Sequence, residues 1–152
     1  MHPPEAVSFL YSRPDGQDVT IYAAHVDDDD EFVFPLFEIA QALFYPNPER
    51  VTHPNAFRLS FSNLKNARKC VGMDALFTAT PLSRTDTGHE PAVGPAIHFH
   101  RWLRAVVLPL LDGNVWPPSD VAKAIKIAAW HESEARRHNN AAAAYRDFLS
   151  MY

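Results

Sequence analysis

Histidines, an acidic run and scattered cations are the side chains of this sequence with the most potential for chemistry. His98 and His100 form an H-x-H pair, with His131 and His138 further on. A zinc site needs three or four convergent nitrogen or sulfur ligands. The pair falls on different faces of the helix that should contain it, and the one cysteine, Cys70, is distant in sequence, so no metal site is expected. The acidic run Asp27 to Glu31 lacks the spaced ligands and turn glycine of an EF-hand loop, and reads as a solvated loop. Glu38 resembles a general base in an apolar setting, but at the fourth position of a helix it reads more simply as a charge favoured by the helix dipole. The patterns G-x-S-x-G, H-E-x-x-H, the P-loop and the dinucleotide fingerprint do not occur. No catalytic residue and no cofactor are expected, and the chain reads as a non-enzyme.

Binding chemistry remains. Arg50, His53, Arg58, Lys65, Arg68 and Lys69 follow one another closely, and Arg101 and Arg104 stand three residues apart. Side chains of this kind neutralise phosphate, and such contacts position a protein on a nucleic acid. Asn63 and Asn66 could reach bases, although asparagines in a polar stretch are more often turn formers. Trp130 lies four residues after Lys126 and seven after Lys123, a basic-aromatic stripe able to stack on single-stranded bases. A packed or interfacial tryptophan is the favoured alternative there.

The net charge of −4 conceals a segregation. Residues 1–50 carry ten acidic side chains against Arg13 and Arg50, a balance of −8, whereas residues 51–152 carry twelve basic against eight acidic, a balance of +4. The whole chain is not the basic domain that usually marks a nucleic-acid binder. The field at one face, not the total, steers a polyanion. One cysteine excludes an internal disulfide and fits a reducing compartment. Met1 to Glu5 lacks the charged and apolar regions of a signal peptide, and no apolar run approaches a membrane span. The expectation is an intracellular protein without a membrane partner.

These side chains need elements to position them. Val7–Tyr11 and Val19–Ala23 read as strands joined by the turn signal Pro14-Asp-Gly16, and Phe32–Phe34 as a short third strand. Pro35 should open a helix with the apolar stripe Leu36, Ile39, Ala40 and Leu43. Tyr45-Pro-Asn-Pro48 stops it, and Asn47 can cap a very short second helix over Glu49 to His53. Residues 35–53 thus form a helix-turn-helix-like unit. Short strands are expected around Phe57–Phe61 and over Ala75–Ala79, then a loop from Pro81 to Pro95. Pro95 opens a helix to about Leu111, with Phe99, Leu103, Val106, Val107 and Leu110 inward and its last turn bent by Pro109. Ser119 caps a long helix to about Arg137 with Val121, Ile125, Ala128 and Ala129 buried. Asn139-Asn140 breaks it, and a final helix turns Tyr145, Phe148 and Leu149 inward.

Two segments resemble one family. Phe32-Val-Phe-Pro-Leu-Phe-Glu-Ile-Ala-Gln-Ala-Leu-Phe-Tyr-Pro-Asn-Pro48 is similar to the Bro-N core, in which an aromatic strand end leads into D-[VI]-A-x-A-L-G-Y and a short N-P turn. Ile39-Ala40, Ala42-Leu43, Tyr45, Asn47 and Pro48 match in order and spacing. Glu38 stands where the family usually has aspartate, and Phe44 where it usually has glycine. Phe99-His-Arg-Trp-Leu103 with Val107-Leu-Pro109 resembles the family's F-R-R-W-[VL] helix ending in V-L-P. The resemblance, over roughly residues 7–113, implies a viral or phage DNA-binding regulator of transcription or host chromatin, placed in the host nucleus or cytoplasm if viral.

The fold expected is α+β: a small antiparallel sheet with packed helices and a helical C-terminus. A Bro-N-like domain should span 1–113, with residues 114–152 a helical extension packed on it or forming a homodimer contact. DNA is the expected partner, through the eight positions named above. The rival is an interaction module whose acidic surface binds a host or viral protein.

Overall fold

The computed structural model describes residues 3–26, 31–78, 93–112 and 117–150. The acidic positions Asp27 to Asp30 and most of the loop expected over residues 81–95 lie outside them. The chain divides into two compact units, Met1–Arg101 and Trp102–Tyr152.

The first unit is built on an antiparallel sheet. Strands β1 (Val7–Ser12) and β2 (Asp18–Val26) pair from Val7 opposite Ala23 to Ser12 opposite Asp18, the hairpin that the alternating apolar residues predict. Its turn closes with the Gly16 N–H donating to the Arg13 carbonyl at 2.9 Å. Gly16 has φ 90°, where a side chain would strain the backbone. Strands β3 (Glu31–Pro35), β4 (Phe57–Leu59) and β5 (Arg68–Gly72) complete the order β1-β2-β3-β5-β4. One face of the β1–β2 hairpin buries Phe9, Tyr11, Ile21 and Ala23. A second cluster holds Ala6, Ala24, Val33, Phe61 and Cys70, edged by Tyr22, Val26, Leu59 and Leu64. Burial of adjacent Ala23 and Ala24 shows that apolar residues cover both sides of β2.

Helix α1 (Leu36–Ala42) follows β3 directly, with Leu36, Ile39, Ala40 and Leu43 buried as their spacing predicts. Pro35 is its N-cap and the last residue of β3, one position earlier than expected. Its C-terminus is a Schellman turn: Tyr45 N–H donates to Ala40 O at 3.1 Å and Phe44 N–H to Gln41 O at 3.2 Å. Phe44 takes φ 66° there, the left-handed region that normally calls for glycine. The expected second helix is a single 3-10 turn, Pro48–Arg50, and Val51 returns to extended backbone.

Residues Met73–Thr78 form helix α2, not the strand expected over Ala75–Ala79. A short apolar run does not discriminate the two by periodicity, and Met, Ala and Leu are strong helix formers. Helix α3 (Val93–Trp102) begins two residues before Pro95. Phe99 packs edge-on against Tyr11 of β1, ring centroids 5.1 Å apart, and Tyr11 Oη and His98 Nδ1 share a hydrogen bond of 2.6 Å.

In the second unit the chain continues as a π-helical segment, Leu103–Val107, and helix α4 (Leu108–Leu111). Pro109 accounts for the distortion: it has no N–H, and its ring would press on the carbonyl four residues earlier, so the preceding turn widens. Leu103, Val106, Val107 and Leu110 are buried, as expected. Helix α5 (Asp120–Ser150) packs on Leu103–Val107. Ser119 caps it, its Oγ accepting from the Ala122 N–H at 3.1 Å.

Three expectations for α5 fail. Asn139-Asn140 does not break the helix, because each asparagine costs only about 0.5 kcal/mol relative to alanine and four alanines follow. The side expected to be buried is exposed: Val121 at 70% and Ile125 at 63%, with Ala128 and Ala129 also bare. Trp130, the bulkiest apolar side chain of the helix, turns inward instead, with Glu134 one turn on. Leu149, expected inward, is 68% exposed. The side chains of Tyr145 and Phe148, expected inward with it, lie outside the described residues. No described helix is long and apolar enough to cross a membrane.

Candidate nucleic-acid interface

Four elements of the first unit converge on one cleft of about 310 Å³: the β3–α1 junction, the 3-10 turn, β4 and β5. Pro35, Leu36 and Phe37 form one side, and Pro48, Glu49 and Val51 another. Arg58, Arg68 and Lys69 supply its positive charge. Antiparallel register puts Arg58 of β4 directly opposite Lys69 of β5. Like charges directly opposed destabilise a strand pair by roughly 0.2–1 kcal/mol, a cost that an anion between them would reverse.

The three cations are held differently. Lys69 Nζ donates to the Val51 carbonyl at 3.3 Å, which anchors it at the cleft wall. Arg68 donates through Nε to the Lys65 carbonyl at 3.2 Å and through Nη1 to Glu38 Oε1 at 3.4 Å. Arg58 is exposed and has no hydrogen bond or ion pair among the described residues. One arginine is therefore braced, one lysine tethered, and one arginine left to reach.

Glu38 is the acid that meets Arg68. It is buried on α1, and its Oε2 has no hydrogen-bond partner among the described residues. Burial raises its pKa above the ordinary glutamate value, against the lowering influence of a backbone N–H and of Arg68. The neighbouring Cys70 thiol is pushed up to about 12, mostly by burial and further by the Glu38 charge. The helix-dipole reading of Glu38 is incomplete, since the same carboxylate also braces Arg68.

The remaining sequence candidates scatter. Arg50 is exposed on the 3-10 turn, beside the Pro48 and Glu49 that line the cleft. Lys65 is exposed on the loop before β5. His53 is buried, and its Nδ1 accepts from the Asn55 N–H at 3.0 Å, so it shapes the chain after the 3-10 turn rather than facing solvent. Arg101 follows the α3 residues that pack on Tyr11 of β1, the strand at the other edge of the sheet. Arg104 is exposed in the second unit. Asn66 takes φ 62°, which makes it a turn former, and Asn63 bonds the Ala6 backbone through both ends of its amide, at 2.8 Å each. Trp130 is a packed side chain, 7% exposed.

Sequence reasoning passed over Phe37. It lies off the apolar stripe of α1, is 40% exposed and lines the cleft beside the cations. An aromatic residue on the polar side of an amphipathic helix was the available signal. No group of three histidine, cysteine, aspartate or glutamate side chains fit to hold a metal occurs among the described residues. Comparison with protein-family models, curated proteins and solved structures returned no match.

Proposed function

We propose that this chain is a DNA-binding regulator of the Bro-N type that holds the phosphodiester backbone in the cleft between α1 and β4–β5. The observation that carries this reading is the direct opposition of Arg58 and Lys69, with Arg68 lining the same cleft. An anion seated there converts a mutual repulsion into two attractions, and a guanidinium adds a bidentate fork for phosphate. The resemblance to Bro-N draws support from Phe44: the position where the family usually carries glycine is one where this backbone is left-handed. The 3-10 turn is too short to lie in a major groove as a recognition helix. The reading is therefore of backbone contacts with modest sequence preference, serving transcription or host chromatin.

Fluorescence anisotropy with labelled single- and double-stranded DNA, titrated from low to physiological salt, tests it. Three phosphate contacts give a slope of about −2.7 in log affinity against log salt for duplex DNA. Arg58→Ala with Lys69→Ala should flatten that slope to about −0.9. No binding at low salt sinks the reading. A second reading is favoured by the −8 balance of residues 1–50: an acidic surface that binds a basic segment of a host or viral protein. Binding of a polycationic peptide, with none of DNA, would select it.

A further inference from the structure

Among the described side chains of helix α5, the buried ones end at Glu134. Its buried residues Trp130 and Glu134, with half-buried Lys123 and Ile127, lie on one side of its first half. Every side chain described from Ala135 to Ser150 is exposed. The whole helix is about 46 Å long at 1.5 Å per residue.

The opposite side carries a second stripe: Val121, Ile125, Ala128, Glu132, Ala135, Asn139, Arg146 and Leu149, all exposed. Their spacing alternates between four and three residues, with Ala142 of the sequence filling the one gap. That is the 3.5-residue period of a coiled-coil seam, not the 3.6-residue period of a helix laid on a core.

We propose that this stripe pairs with the same stripe of a second copy of the chain, the two helices running antiparallel. Charge decides both partner and direction. In a parallel pair Glu132 faces Glu132 and Arg146 faces Arg146, two repulsions on the seam. In an antiparallel pair with Ile125 opposite the partner's Leu149, each Glu132 comes within a turn of the partner's Arg146. The two-fold axis makes this happen twice. The apolar side chains suit the same arrangement, because Val121 and Ile125 stand near one end of the helix and Leu149 near the other. Ala128 and Ala135 are small enough for close approach of the backbones. Asn139 falls near the axis, where one polar side chain fixes register. The inference is independent of the nucleic-acid reading and concerns the second unit alone.

Sedimentation equilibrium of the full chain over a range of concentrations is the test, with circular dichroism to check that variants fold. The expected result is a reversible monomer–dimer equilibrium. Ile125→Glu, at a site already exposed, should raise the dimer Kd by about tenfold or more. Glu132→Arg and Arg146→Glu should each weaken the dimer several-fold, and together restore it. Oxidation of an equal mixture of Ile125→Cys and Leu149→Cys chains should link them across the dimer, while Ile125→Cys chains alone remain unlinked. A chain that is monomeric throughout overturns the proposal. So does a dimer untouched by Ile125→Glu, or one in which Ile125→Cys chains link to each other. A monomeric Ile125→Cys chain whose introduced thiol is shielded from maleimide also overturns it, by placing another part of the same chain on the stripe.

Discussion

Burial makes both Cys70 and Glu38 harder to ionise, and the Glu38 charge adds to the effect on the Cys70 thiol. With its pKa pushed up to about 12, the Cys70 thiol carries almost no thiolate at neutral pH, and only the thiolate attacks. Ellman's reagent at pH 8 should leave Cys70 unreacted in the folded protein and titrate it in full after denaturation. Glu38 leads to a stability experiment. Its folded pKa is raised, so the folded state binds a proton more readily than the unfolded one. Its contribution is most favourable below the ordinary glutamate pKa and is lost as pH rises through the folded value. Glu38→Gln should therefore be more stable than the parent at neutral pH by chemical denaturation, with the gap closing as pH falls through the glutamate range. The same substitution releases Arg68 from its brace, so altered DNA affinity with improved stability is the combined signature.

Among the elements, the end of α1 shows most about how this sequence works. Phe44 holds the left-handed position of the Schellman turn, and Arg13 stacks over its ring, Cζ 4.0 Å from the centroid. Arg13 also pairs with Asp15 and donates to the Gln41 carbonyl at 3.0 Å, so one arginine ties the hairpin turn to the helix end. A left-handed non-glycine residue costs about 1–2 kcal/mol, and the cation–π contact returns about 0.5–1 kcal/mol. Phe44→Gly should be neutral or mildly stabilising in thermal denaturation. Phe44→Ala, which keeps the strain and loses the ring, should destabilise by about 1 kcal/mol. Much at this scale was legible. The β1–β2 hairpin, the stripe of α1, the buried face of residues 99–110 and the Ser119 cap follow from period and turn chemistry. Helix α2 was not, because a five-residue apolar run fits either period. The inward face of α5 was missed because Val121 and Ile125 form as good a stripe as Trp130 and Glu134; the choice between them is tertiary. The cleft was half legible. The sequence clusters Arg58, Arg68 and Lys69, but it does not show that Arg58 and Lys69 meet across a strand pair, nor that Phe37 joins them.

Across the whole molecule, the segregation of charge governs behaviour in solution. A chain of net −4 that binds DNA through a local cluster must do so against a long-range repulsion. Its association rate should consequently depend on salt less steeply than its equilibrium affinity. Stopped-flow association at two salt concentrations would check this: the ratio of association rates should be smaller than the ratio of affinities, with the remainder in dissociation. A uniformly basic binder would place more of the effect in the association step.

Strand β4 is three residues long and lies at the end of the sheet order, so one side of it has no strand neighbour among the described residues. Edges of that kind recruit other chains, and proteins defend them by keeping them short and placing cations on them. Arg58 sits at the centre of that strand, beside Phe57 at 41% exposure. It is therefore placed as a gatekeeper against edge-to-edge aggregation, in addition to the phosphate contact proposed for it. Neutralising it removes both duties at once. An Arg58→Ala protein that loses DNA binding and also precipitates on concentration would be reporting the bare edge, whereas Arg58→Glu would abolish the phosphate contact while keeping a charge on guard.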